Sequence, residues 1–178
     1  MGVQLLFVVE TNKKCDSDWI YIKSTIEEFY KVDNSSVKLN HKYMEGKGNY
    51  KNLKNKINKE IDQYSKTSDN NKTYVIYCFD CDDYDINRED EKFLKEAEKY
   101  CENNQYDLVW FCRDIEQVYL GQRIKDSEKR SKSVAFMKNG AIKNINPQIL
   151  HQSQYKTGTS NLMIVLDKYL VRKNECNN

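Results

Sequence analysis

No apolar run in this chain approaches the roughly 20 residues that a helix needs to cross a bilayer, so the sequence reads as soluble, with no membrane partner. Histidine is scarce, with two residues, and the single C-x-x-C, Cys78 with Cys81, has no second pair to complete it, so the usual donor sets of a structural zinc site are lacking. Excess charge is also missing. The 29 Lys and Arg against 27 Asp and Glu leave a net charge of +2. That is too little for a bulk attraction to nucleic acid, although a local basic patch stays open. With one proline, no internal repeat and no long low-complexity stretch, nothing divides the 178 residues, and one domain with a substantial core is expected. The opening "MGVQLLFVVE" lacks a basic region and a small-residue cleavage site, so it reads as a strand rather than a signal peptide. Leu6 stands where a myristoylation signal would carry Ser or Thr. The six cysteines (Cys15, Cys78, Cys81, Cys101, Cys112 and Cys176) are scattered, three of them in or at the end of expected strands. That distribution suits reduced thiols and a cytoplasmic setting.

What is present is an alternation of strand and helix signals. Residues 3 to 9, "VQLLFVV", suit a strand buried on both faces, and they end on Glu10. Trp19, Ile22, Ile26, Phe29 and Tyr30 then recur at helical spacing behind Ser17 or Asp18 as the cap. Val37, Leu39, His41 and Tyr43 alternate with polar residues, as in an edge strand. Tyr50, Leu53, Ile57, Ile61 and Tyr64 mark a second helix, residues 73 to 79 a third strand, and Phe93 to Cys101 a third helix. "YDLVWFC" is the fourth strand. A short helix from "DIEQVYLGQRI", another over residues 127 to 138 and a terminal one along Leu162, Val165, Leu166, Tyr169 and Leu170 complete the chain.

This pattern predicts an α/β fold: an open, mainly parallel four-stranded sheet with helices on both faces, plus C-terminal helices. Residues 1 to 115 form its core and 116 to 178 a helical extension. With the second strand at an edge, the order is second-first-third-fourth, and a crevice opens between the carboxyl ends of strands one and three. Glu10 closes strand one, while Asp80 and Asp82 close strand three in "YVIYCFDCDDYD". These acids from distant positions should therefore converge. Carboxylates gathered this way suit a hard cation, Mg²⁺ or Mn²⁺, which can activate water and clamp a phosphodiester. Asp83, Asp85, Glu89 and Asp90 read instead as a solvated turn entering a helix that favours acids in its first turn.

A glutamate ending the first strand ("FVVE") with D-x-D ending the third ("YCFDCDD") resembles the Toprim domain, and most closely its small RloB-like and OLD-type nuclease branch. The resemblance covers roughly residues 3 to 115 in architecture and rests on three acids. It implies a metal-dependent nuclease acting on RNA or DNA, in bacterial or phage defence. Glu10 would be general acid or base as well as a ligand, and Asp80 and Asp82 would hold Mg²⁺. Where that family carries glycine after its glutamate, this chain has Thr11, and Asp18 and Tyr21 lie farther along the loop than the family's second acid and aromatic. In "VWFCRDIEQVYLG", Arg113, Asp114 and Glu116 follow the fourth strand in the place of a further acidic motif. The alternatives there are a helix cap for Asp114 and a first-turn acid for Glu116.

Lys13 and Lys14, just after Glu10, are candidates for phosphate contacts together with Arg113. Lys156, Thr159, Ser160 and Asn161, ahead of the terminal helix, form a second phosphate candidate beside the alternative of an ordinary helix cap. His41 reads as a core histidine, and His151 has no neighbour that would make it a base. Nucleic acid is the expected partner. A protein partner, a second copy of the chain, or a non-catalytic role as a binding module stays open.

Overall fold

The computed structural model describes residues 2–173. Cys176 therefore lies outside the described residues, and the other five cysteines are free thiols. The elements run β1 (Val3–Val9), α1 (Ser17–Phe29), β2 (Tyr30–Lys31), β3 (Val37–Tyr43), α2 (Lys54–Ser65), β4 (Lys72–Asp80), α3 (Arg88–Asn104) and β5 (Asp107–Cys112). After these come α4 (Ile115–Leu120), α5 (Asp126–Lys138), β6 (Thr159–Ser160), α6 (Leu162–Leu166) and β7 (Val171–Arg172). The main sheet has the order β3-β1-β4-β5-β6. Its four long strands are parallel, in the order expected, and β6 adds an antiparallel edge beside β5.

Side-chain alternation explains why β1 is apolar throughout. Leu5, Phe7 and Val9 pack into a core with α1, α4, α5 and α6, whereas Leu6 and Val8 pack into a second core with α2 and α3. The same division separates Ile76 and Cys78 from Val75, Tyr77 and Phe79 in β4. The chain leaves β1 toward β3 across one face and then returns to β4 and β5 across the other. This reversal between β1 and β4 opens the crevice at their carboxyl ends. No helix among the described residues is long and apolar enough to cross a membrane.

The structure corrects several local expectations. Helix α1 begins at Ser17 after Asp16, which makes no side-chain capping bond and has φ 55°. Asp18 therefore lies inside the first turn and is free to face elsewhere. The terminal helix expected to reach Leu170 ends at Leu166. Thr159 and Ser160, expected as its cap, form β6 instead, with Asn161 at the cap position. The segment beyond residue 115 carries the expected helices, with α5 over the stretch predicted for 127 to 138, and adds two two-residue strands, β6 and β7, to them.

Candidate functional site

Parallel register brings the first pair of acids together. Val8 lies opposite Tyr77, so Glu10 stands level with Phe79, and its Oε1 accepts a hydrogen bond from the amide of Asp80 at 2.9 Å. Asp80 in turn lies opposite Phe111, and its Oδ1 accepts from the amide of Ile115, the first residue of α4, at 3.0 Å. Asp114 caps that helix by accepting from Gln117 N at 2.7 Å, so the cap reading holds for it. Each of Glu10 and Asp80 keeps one carboxylate oxygen with no hydrogen-bond partner among the described residues.

Two further acids join them. Asp18 is buried, and its Oδ2 accepts from Thr11 N at 3.1 Å while its Oδ1 accepts from Ser17 Oγ at 3.2 Å. The loop after β1 is thereby folded back so that a buried acid lies beside Glu10. Glu116 is 0% exposed, and neither of its carboxylate oxygens has a hydrogen-bond partner. The hydroxyls of Thr11 and Tyr21 are likewise buried and unpartnered. Buried polar atoms are nearly always satisfied, so such a group of orphans calls for an explanation, an ion or water among them.

The electrostatics follow from burial and crowding. Burial pushes Glu10 up to about 8, helped by the charges of Asp18 and Asp82 and opposed by the Asp80 amide and Lys47. Glu10 is partly open at the molecular surface, yet its carboxyl lies deep enough for burial to dominate. Asp80 rises well above the ordinary carboxylate range, first by burial and then by the charges of Glu10, Asp18 and Glu116. Asp18 is raised by burial too, and Glu116 is pushed up to about 7 against the pull of Lys129. Tyr21 is raised first by burial and then by the charges of Glu116 and Asp18. Two lysines offset the cluster. Lys129 Nζ lies 3.3 Å from Glu116 Oε2 without hydrogen-bond geometry, and Lys47 Nζ lies 2.5 Å from Asp82 and 2.8 Å from Asp90.

The other sequence candidates are distributed around this centre. Asp82, with φ 48°, is paired with Lys47, and the charges of both act on Glu10. Asp83 is bound by Arg123 and Arg113, which hold it below the ordinary carboxylate range, and Arg113 also pairs with Asp85. Lys13 and Lys14 are exposed on the loop that follows Glu10, with no ion-pair partner among the described residues. Lys156 is exposed on a different loop, where its carbonyl accepts from Thr159. Ser160 is fully buried, and its Oγ accepts from the amide of Leu162. The structure does not join these last two to the acids. His41, expected in the core, is partly exposed: it stacks on Trp19 at 4.6 Å, bonds to the Tyr43 hydroxyl and lies 3.6 Å from Asp16.

Sequence reasoning missed Lys47 and Lys129. The G-K-G flanking of Lys47, just past the edge strand, was a usable signal, because that strand ends at the same side of the sheet. Lys129 had none, since it is one of many charged residues in "DSEKRSK". Among the described residues no three His, Cys, Asp or Glu side chains gather their donor atoms around one cation-sized point. Glu10 and Asp80 each keep one oxygen free of hydrogen bonds, the hard donor type that Mg²⁺ takes beside several waters, and the unpartnered oxygens of buried Glu116 are of the same type. Compared with models of known families, with curated proteins and with solved structures, the chain gives no significant match.

Proposed function

We propose that this chain is a divalent-cation-dependent phosphoryl-transfer enzyme, a Toprim-like nuclease that cuts RNA or DNA in the cytoplasm. One observation carries the reading: buried acids from separate elements meet at the carboxyl ends of β1 and β4, and buried polar atoms beside them have no partner. Repulsion and burial make such a group costly in its charged form, and without a cation it is relieved by the two lysines and by protons held on the raised carboxyls.

A bound Mg²⁺ or Mn²⁺ would polarise a phosphate oxygen and acidify a water. The residues of the chain supply the rest. Asp80, fixed through Oδ1 by the start of α4, and Glu10, fixed through Oε1 by the β4 backbone, present their second oxygens as ligands. Asp18 and Glu116, when ionised, add their charge to the attraction for a cation. Glu10, pushed up to about 8, can hold or release a proton near neutral pH, as a general acid or base must. Lys13 and Lys14, exposed on the adjoining loop, would contact flanking phosphates.

A second reading, a cation-binding module without turnover, draws on the capture of Asp82 by Lys47. Purified protein should be assayed on mixed RNA and DNA with Mg²⁺ or Mn²⁺, beside Asp80→Asn and Glu10→Gln. Cleavage reduced by about 10²-fold or more in both variants is the expected result. A metal-induced rise in melting temperature without cleavage, lost in Asp80→Asn, favours the module. No response to metal at all refutes both readings.

A further inference from the structure

The acid cluster contains a cation of its own. Lys129 Nζ lies 3.3 Å from Oε2 of the fully buried Glu116 and 3.7 Å from Oδ1 of Asp126, whose side chain is 98% exposed. One ammonium therefore stands between a buried carboxylate and a solvated one. Burial by itself would lower the Lys129 ammonium, but the charges of Glu116, Asp80 and Asp18 outweigh it and hold it above its ordinary value. Yet the lysine satisfies none of the orphaned atoms, because both oxygens of Glu116 remain without a hydrogen bond. It supplies charge without geometry.

The helix that carries it has no buried apolar residue at this end. The buried residues of α5 are Ser133 and Phe136, both in its second half. The first half is tied to the loop after β1 by Arg130, whose Nη1 donates to the carbonyls of Lys14 and Cys15 at 2.7 and 3.1 Å. Polar ties and no apolar anchor leave this half free to shift at small cost. A lysine on a flexible four-carbon stem can change partners where a bidentate arginine would not.

We propose that Lys129 is a tethered stand-in for the divalent cation: it neutralises the acids in the metal-free protein and withdraws toward Asp126 when the cation enters. The inference rests on the cation reading of the acid cluster, and it adds a coupling between cation occupancy and the first half of α5. It also gives Asp126 a role that an isolated exposed acid would lack.

The test is a titration of the full chain with MnCl₂, read by calorimetry and by melting temperature, for wild type and Lys129→Met. Met keeps the bulk of the stem and removes the charge. The variant should melt below wild type in EDTA, bind Mn²⁺ at least tenfold more tightly, and regain more stability from Mn²⁺ than wild type does. Affinity equal to or weaker than wild type overturns the tether while leaving the cation site standing. A wild type that does not bind Mn²⁺ removes the site and the tether together. A second measurement avoids the variant. In wild type, saturating Mg²⁺ should speed hydrogen exchange of the amides of residues 126–132 several-fold relative to EDTA, and unchanged or slower exchange overturns the proposal even if Lys129→Met fails to fold.

Discussion

At the scale of single residues, Glu10 and Glu116 make the protein sensitive to pH in a definite direction. Both have an ordinary value of 4.5, and burial lifts them to about 8 and about 7. Between the ordinary and the lifted values the folded chain binds more protons than the unfolded one, so stability must fall as pH rises through that window. One pH unit on one group is worth about 1.4 kcal/mol. Protons shared among neighbouring acids, and the partial exposure of Glu10, reduce the total to the order of 1–3 kcal/mol. In EDTA the melting temperature should drop by about 2–10 °C between roughly pH 5 and pH 8.5. Glu10→Gln should flatten that drop; parallel curves for the two proteins would take the proton off Glu10. The positions of Glu10 and Asp80 were legible because each ends a buried apolar strand, where a charge is out of place without a purpose. Asp18 and Glu116 were only half legible. Both are first-turn acids, a position that solvated acids favour for the helix dipole alone, and their burial comes from how α1 and α4 dock.

At the scale of elements, the site depends on short pieces that do little else. Helix α4 has six residues, and the amide of its first residue fixes Asp80. Its start is held by the Asp114 cap, whose loss costs about 1 kcal/mol in typical helices. Asp114→Ala should therefore lower the urea midpoint by a modest amount and weaken Mn²⁺ binding as the Ile115 amide loses its place. Loss of stability with unchanged Mn²⁺ affinity would show that α4 supports the fold but not the ligand. The long strands and helices were legible because hydrophobic period, length and termini agreed. Strand β6 was not. Two residues carry no period, and Thr159 and Ser160 look like a helix cap because both residue types favour one. Pairing with Phe111 and Cys112 decides otherwise, a tertiary effect invisible in the local sequence.

At the scale of the molecule, the sequence suggests a core over residues 1 to 115 with an extension beyond, and the packing argues against a detachable extension. Ile142, Leu150, Leu162, Met163, Val165, Leu166 and Leu170 are buried in the same core as Phe7, Ile76 and Phe111. Full burial of each such side chain is worth about 1.5–3 kcal/mol. Together they rival the entire net stability of a typical domain, about 5–15 kcal/mol. The tail also completes the outer side of β5, for besides β6 the side chain of Asn161 accepts from Trp110 N at 2.8 Å and donates to Leu108 O at 2.9 Å. Without it, β5 would expose an unpaired edge and a large part of one core face. Glu116 and Lys129 would go as well, so the acid centre is not contained in the first 115 residues. A fragment of residues 1–115 should accordingly show no cooperative urea transition and a collapsed amide spectrum. The full chain should unfold in one sigmoidal step. If the fragment instead unfolds cooperatively and binds Mn²⁺, then the cation site belongs to the strands alone, and Glu116 and Lys129 are only its neighbours.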